Sequence, residues 1–189
     1  MKQLKFALQL LVFSFFFLTA CSKDDTNPEG SGSNNNQLPA GPQDTVTSFM
    51  VFFTNTTDSM TEVGSYDDPD GPGPKPANIG GVVLKKNESY IVTINLEDAT
   101  NNPKVFLHTK IKNNGKDYKV CLSNPLGSTV VPTDSDGNMP IGLINLMTTG
   151  SSTGNEQMNF TIKYQKGTKS GSCSPGVVYY SCNIPVFIN

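Results

Sequence analysis

Ser89-Tyr90-Ile91-Val92-Thr93-Ile94-Asn95-Leu96-Glu97 is the stretch whose reading decides the fold. Tyr90, Val92, Ile94 and Leu96 recur at period two on one face. Ile91, Thr93 and Asn95 occupy the other. Side chains of a strand alternate between faces, so this is the signature of a half-buried β-strand. Working outward, Val46, Phe49, Val51 and Phe53 mark a strand from Thr45 to about Thr54, closed by a turn over Asn55-Thr56-Thr57-Asp58-Ser59. Met60 to Tyr66 reads as a weaker strand, and Val82 to Leu84 as a short one. Lys104 to Ile111 also alternates and is expected to be a strand, followed by a hairpin turn at Asn113-Asn114-Gly115. Tyr118 to Leu122, Leu143 to Thr149, Met158 to Tyr164 and Gly176 to Ile188 supply the remaining strands, and Pro132 to Gly137 a loop. No segment past residue 44 carries a sustained helical period with caps. Short strands separated by turn signals predict an all-β chain, an antiparallel, Ig-like β-sandwich of about eight or nine strands over 44–189.

The amino terminus has a different logic. Lys2 and Lys5 precede an apolar run from Phe6 to Leu18, and small residues lead to Cys21. That is the order of a secretory signal, expected over 1–20. The run is shorter than the roughly 20 apolar residues that span a bilayer. Leu18-Thr19-Ala20-Cys21 resembles the lipobox of bacterial lipoproteins. The resemblance implies that Cys21 becomes the first mature residue and carries acyl chains, enough to hold the protein firmly in a membrane. Ser22-Lys23-Asp24-Asp25 resembles the surface-export signal of Bacteroidota lipoproteins, which implies an outer-membrane anchor facing the cell exterior; a periplasm-facing anchor is the alternative. Residues 21–43, rich in Gly, Ser and Asn and without an apolar period, are expected to form a tether that lifts the domain off the lipid.

Removal of the signal leaves 12 lysines against 16 acids, a net charge of −4, with no arginine anywhere in the chain. A mildly acidic chain without arginine lacks the basic stripe that nucleic-acid binding needs. It also lacks a bidentate clamp for phosphate. Three cysteines remain once Cys21 is lipidated. In an oxidising compartment a disulfide is permitted, and the short interval across Ser174-Pro175-Gly176 favours Cys173 with Cys182, leaving Cys121 buried. Pairing of Cys121 with either of the others is the rival. No cysteine pair has zinc-finger spacing, and His108 is the single histidine.

Asp68-Pro69-Asp70-Gly71-Pro72-Gly73, then Asp134-Ser135-Asp136-Gly137-Asn138-Met139-Pro140-Ile141-Gly142-Leu143, then Thr148-Thr149-Gly150, occur in an order that resembles an uncharacterised family of small Bacteroidota lipoproteins. Its members share a D-x-D-G-x-G loop, a D-x-D-G-N-P-x-G-L loop and a Thr-Thr-Gly turn. Some carry the label "type 1 periplasmic binding fold", which the all-β pattern here does not match. The family's His-Pro-like step after the penultimate strand reads Lys163-Tyr164-Gln165 in this chain. The resemblance implies no activity.

Two loops with the spacing D-x-D-G can each aim alternate carboxylates at one point, as a hard cation such as Ca²⁺ requires. The candidate ligands are Asp68, Asp70, Asp134 and Asp136; the alternative is that Asp and Gly simply build turns. There is no G-x-S-x-G, H-E-x-x-H or P-loop motif. The adjacent acids Glu97 and Asp98 point to opposite faces of their strand. The resulting expectation is a non-catalytic binding or transporter-accessory module, anchored to the membrane and partnered by an outer-membrane transporter or a surface ligand. A structural or adhesion subunit is the alternative, and a hydrolase the third reading. Tyr179 and Tyr180 suit a sugar or peptide ligand, or are plain strand residues.

Overall fold

Eleven strands and one helix are present among the described residues: β1 (Ser48–Asn55), β2 (Thr61–Asp67), β3 (Asn78–Gly80), β4 (Val82–Leu84), β5 (Ser89–Asp98), β6 (Val105–Phe106), α1 (Leu107–Asn113), β7 (Tyr118–Leu122), β8 (Thr129–Pro132), β9 (Ile144–Thr148), β10 (Gly154–Tyr164) and β11 (Val177–Ile188). They come from a computed structural model that describes residues 44–71 and 73–189. The expected signal, the Cys21 lipidation site, the Ser22–Asp25 export signal and the tether lie outside the described residues.

β5 is the spine of a seven-stranded sheet in the order β3-β2-β1-β5-β9-β8. One side of β5 pairs with β1 along its length, Ser48 opposite Glu97 and Asn55 opposite Tyr90. Its other side is shared between β9, over Ser89 to Thr93, and β6, over Glu97 and Asp98. A second sheet runs β4-β11-β10-β7. The fold is thus all-β and sandwich-like, in two layers. One pairing departs from the antiparallel expectation: β4 lies parallel to β11. The count exceeds the expected eight or nine because β3, β6 and β8 are too short to show a period.

The alternation read from the sequence is the packing. Phe49, Val51 and Phe53 of β1 and Tyr90, Val92, Ile94 and Leu96 of β5 face inward, against Met158, Phe160 and Ile162 of β10 and Ile184 and Val186 of β11. Phe49 meets Phe160 with ring centroids 5.2 Å apart and tilted by 57°, a favourable aromatic geometry. β2 is weakly patterned for a physical reason. Gly64 sits where a Cβ would come within 2.6 Å of the Ile184 side chain, so β2 gives up a side chain to let the two layers meet.

Two expectations are corrected here. Lys104 to Ile111 is not a strand beyond Phe106. Leu107 and Ile111, both fully buried, are spaced four apart and lie on one face of α1, which packs on β5. Six residues of alternation cannot distinguish period 2 from period 3.6 when only two apolar anchors are needed. Asn113-Asn114-Gly115 therefore ends a helix instead of forming a hairpin: the backbone N–H and side-chain amide of Asn114 both donate to the Lys110 carbonyl, and Gly115–Asp117 forms a 3-10 turn.

The disulfide joins Cys121 to Cys173, not Cys173 to Cys182. The expected return loop does not exist, because the chain after Gly176 runs as one uninterrupted strand to Ile188. Cys182 sits on that strand opposite Phe160, 1% exposed in the core. Cys121 is one row displaced, opposite Thr161, and turned away from the core toward the connection that carries Cys173.

Candidate functional site: a cleft between two sheet edges

β7 is an edge of the four-stranded sheet and β8 an edge of the seven-stranded one. The connection from β8 to β9, residues 133–143, lies across the gap between them. Asp134 shapes it: its carboxylate accepts the backbone N–H groups of Gly142 and Leu143, at 2.7 and 3.1 Å. The loop then docks on both sheets, with Val120 N–H donating to the Ile141 carbonyl at 2.7 Å and Ile94 N–H to the Leu143 carbonyl at 3.0 Å. Gly142, at φ +94°, is required there, since a Cβ would meet the Val120 carbonyl oxygen at 2.5 Å.

Asp136 is equally engaged. One carboxylate oxygen accepts the Asn138 and Met139 N–H groups, and the other accepts the Lys169 ammonium at 2.8 Å. Lys169 also donates to the Gly115 carbonyl, and little of either side chain is exposed, 5% and 10%. The Lys169 ammonium and the two backbone donors hold the Asp136 carboxyl well below the usual carboxylate range.

Beneath this loop lies a cavity of about 260 Å³. Leu122 and Val130 are its apolar walls, with Pro132 and Pro140, and the Cys121–Cys173 disulfide, Gly171 and Asn145 complete it. Asn145 is 1% exposed and donates to the Gly142 carbonyl. Lys119 also lines the cavity, although it is only 4% exposed. Its ammonium donates to the Pro140 carbonyl at 3.5 Å, the limit of a hydrogen bond. Burial pushes its pKa down, neighbouring Lys169 adds to this, and Asp134 opposes it. Sequence reasoning missed Lys119. Lysines are rarely fully buried, and the alternating pattern of Tyr118 to Leu122 places Lys119 on the outward face; what covers it comes from two distant connections.

The four candidate aspartates are not gathered into one shell. Asp68 and Asp70 follow β2; Asp134 and Asp136 follow β8. Both loops leave toward the same end of the larger sheet, the end of β2 level with Glu97 of β5 and the end of β8 level with Val92, several residues earlier. β1, β5 and β9 nevertheless stand between β2 and β8, so the loops are on the order of 19 Å apart at about 4.8 Å per strand. Among the described residues no three His, Cys, Asp or Glu side chains form a metal-holding group. A cation at the second loop would have to displace the backbone N–H groups and the Lys169 ammonium from the two carboxylates.

The other singled-out residues have structural partners. The His108 ring Nδ1 lies 3.1 Å from the Leu96 carbonyl, on α1. Glu97 pairs with Lys104 at 2.7 Å, whereas Asp98 is buried and accepts from the Thr100 backbone and the Asn101 side chain. Tyr179 and Tyr180 are half-buried in an aromatic cluster with Tyr118, Tyr66 and Phe49, and the Tyr179 hydroxyl donates to Asp44 at 2.8 Å. Burial raises the Tyr118 pKa to about 12.

No family model, curated protein or solved structure matches this chain. Among the described residues, no helix is long and apolar enough to cross a membrane.

Proposed function

We propose that this chain is a non-catalytic binding module, lipid-anchored through Cys21 and displayed on the outer face of an outer membrane as an accessory to a transporter or surface ligand. The observation that carries the binding role is the cleft between β7 and β8. It is concave, mixes apolar side chains with polar surface, has the buried Lys119 at its wall, and is braced by a disulfide and the Lys169–Asp136 ion pair. A few convergent polar groups set beside apolar side chains in a concave site are the usual makeup of a small-ligand site. The anchor and its outward orientation rest on the Leu18–Cys21 and Ser22–Asp25 patterns. Affinity capture from intact cells, with the lipid anchor retained, tests the reading: a transporter or surface component should be recovered with the native chain and lost on a cleft-filling substitution. Recovery of a normally processed, membrane-bound product from Cys21→Ala would remove the anchor from the proposal.

A structural or adhesive role is favoured by a different observation. On the outer face of the larger sheet, Ile91 stands opposite Leu146, and Leu146 opposite Val131; Val63 stands opposite Phe52, Phe52 opposite Thr93, and Thr93 opposite Ile144. These two rows are uncharged, and Val63, Ile91, Val131, Ile144 and Leu146 are exposed. Contiguous exposed apolar surface marks interaction sites. Mass that rises with concentration in sedimentation, and falls back on Val131→Lys, supports this reading over the first.

A further inference from the structure

We propose that the cleft binds a small monoanion with an apolar body, a short- to medium-chain carboxylate, whose carboxylate pairs with the Lys119 ammonium while its hydrocarbon contacts Leu122, Val130 and Pro132. The inference rests on the binding reading above and names the ligand class of that same cleft.

A lysine carries three N–H donors, and Lys119 makes one hydrogen bond within the described protein, at 3.5 Å. A buried charge is stable only when it is paired and hydrogen-bonded. Lys119 makes no ion pair within 4 Å among the described residues; Asp136 is taken by Lys169, and Asp134, which does act on Lys119, accepts two backbone N–H groups. Two of the three Lys119 N–H donors are therefore left for a ligand anion at the cavity wall. Interactions of this kind strengthen as water is excluded.

The rest of the cavity narrows the class. Among the described residues Lys119 is the one cation that lines it, so a single negative charge is matched. A phosphate dianion would ask for the planar, multi-donor clamp that arginine gives, and the chain has no arginine. The remaining walls are aliphatic, prolyl and disulfide surface, which favour CH₂ groups over further polar ones. Asn145 is the other polar side chain at the wall, and its amide already donates to Gly142. A volume of about 260 Å³ corresponds to about eight or nine waters at liquid density, enough for a carboxylate with a chain of several carbons.

The test is titration calorimetry of the full lipidated chain in detergent with hexanoate, hexanamide and inorganic phosphate. Hexanoate should bind at least tenfold more tightly than hexanamide, which keeps the shape and loses the charge, and phosphate should not compete. Lys119→Met should weaken hexanoate tenfold or more and abolish the preference over the amide. Equal affinity for acid and amide, displacement by phosphate, or unchanged hexanoate binding in Lys119→Met overturns the proposal. Should Lys119→Met fail to fold, the acid–amide comparison on the native chain decides alone. If neither hexanoate nor hexanamide binds, the ligand class is wrong; capture of a partner by the native chain from intact cells reads the binding function separately.

Discussion

Two loops in this chain carry the same four-residue spacing and lead different lives. Asp68-Pro69-Asp70-Gly71 follows β2, and Asp134-Ser135-Asp136-Gly137 follows β8. In the first, Asp68 is buried beside the Tyr66 hydroxyl at 3.3 Å, its N–H donates to Thr47, and Gly71 N–H closes a turn on the Asp68 carbonyl; Asp70 is exposed. In the second, both aspartates bind backbone N–H groups of their own loop, and Asp136 adds the buried Lys169. The first loop is a turn joining neighbours in one sheet. The second bridges two sheets and roofs a cavity. What separates them is the β10–β11 connection, which delivers Lys169 and Cys173 to the second loop's side of the molecule and nothing to the first. A short motif in a β protein reports turn chemistry; its surroundings decide whether the turn becomes part of a site.

The largest expected effect comes from cutting that connection loose. Cys121→Ser with Cys173→Ser opens a loop of 52 residues, which the chain-entropy relation values at about 4 kcal/mol. Urea unfolding of the double variant should show a loss of that order. A loss below about 1 kcal/mol would mean that the ion pair alone holds the second loop in place.

Next is the ion pair. Asp136→Asn takes the counter-charge from the Lys169 ammonium, for a loss of about 1.5 kcal/mol at neutral pH. The pH dependence follows from the depressed Asp136 pKa. In the unfolded chain the group titrates near pH ~3.9, and in the folded protein it titrates lower. Its stabilisation is therefore fully present above the unfolded value and is lost as pH falls from there through the folded value. The gap in unfolding free energy between native and Asp136→Asn proteins should be constant from pH 7 to about 5 and shrink below about 4. A gap that widens on acidification would contradict the pairing.

The smallest effect belongs to the first loop. Asp70→Ala removes an exposed side chain and should change stability by no more than about 0.5 kcal/mol. If it matches Asp136→Asn in thermal or urea unfolding, the contrast between the loops collapses.

Much of the fold was legible because it is written at period two. The inward rows of β1, β5, β10 and β11 can be read from Phe49, Val92, Phe160 and Ile184 and their alternate neighbours, since burial of one face is the driving force for those strands. The site was not legible in the same way. Lys119, Asp136, Lys169 and the disulfide lie on two separate connections and one strand, and their proximity is a product of strand order, which no local pattern encodes.

The sequence by itself determined the alternating strands, the absence of arginine, the net acidity and the Leu18–Cys21 pattern, because each is a property of composition or of neighbours along the chain. Tertiary structure alone decided three things. Leu107 and Ile111 wind into a helix because both must reach the core beside β5. Cys173 takes Cys121 as its partner because β11 carries Cys182 inward while β7 turns Cys121 outward. Lys119 is buried because the Asp134–Leu143 loop and the Lys169–Cys173 segment close over one sheet edge. The physical reason is common to all three: the free energy of burying or pairing a side chain depends on which distant segment meets it, and only the assembled sheets specify that.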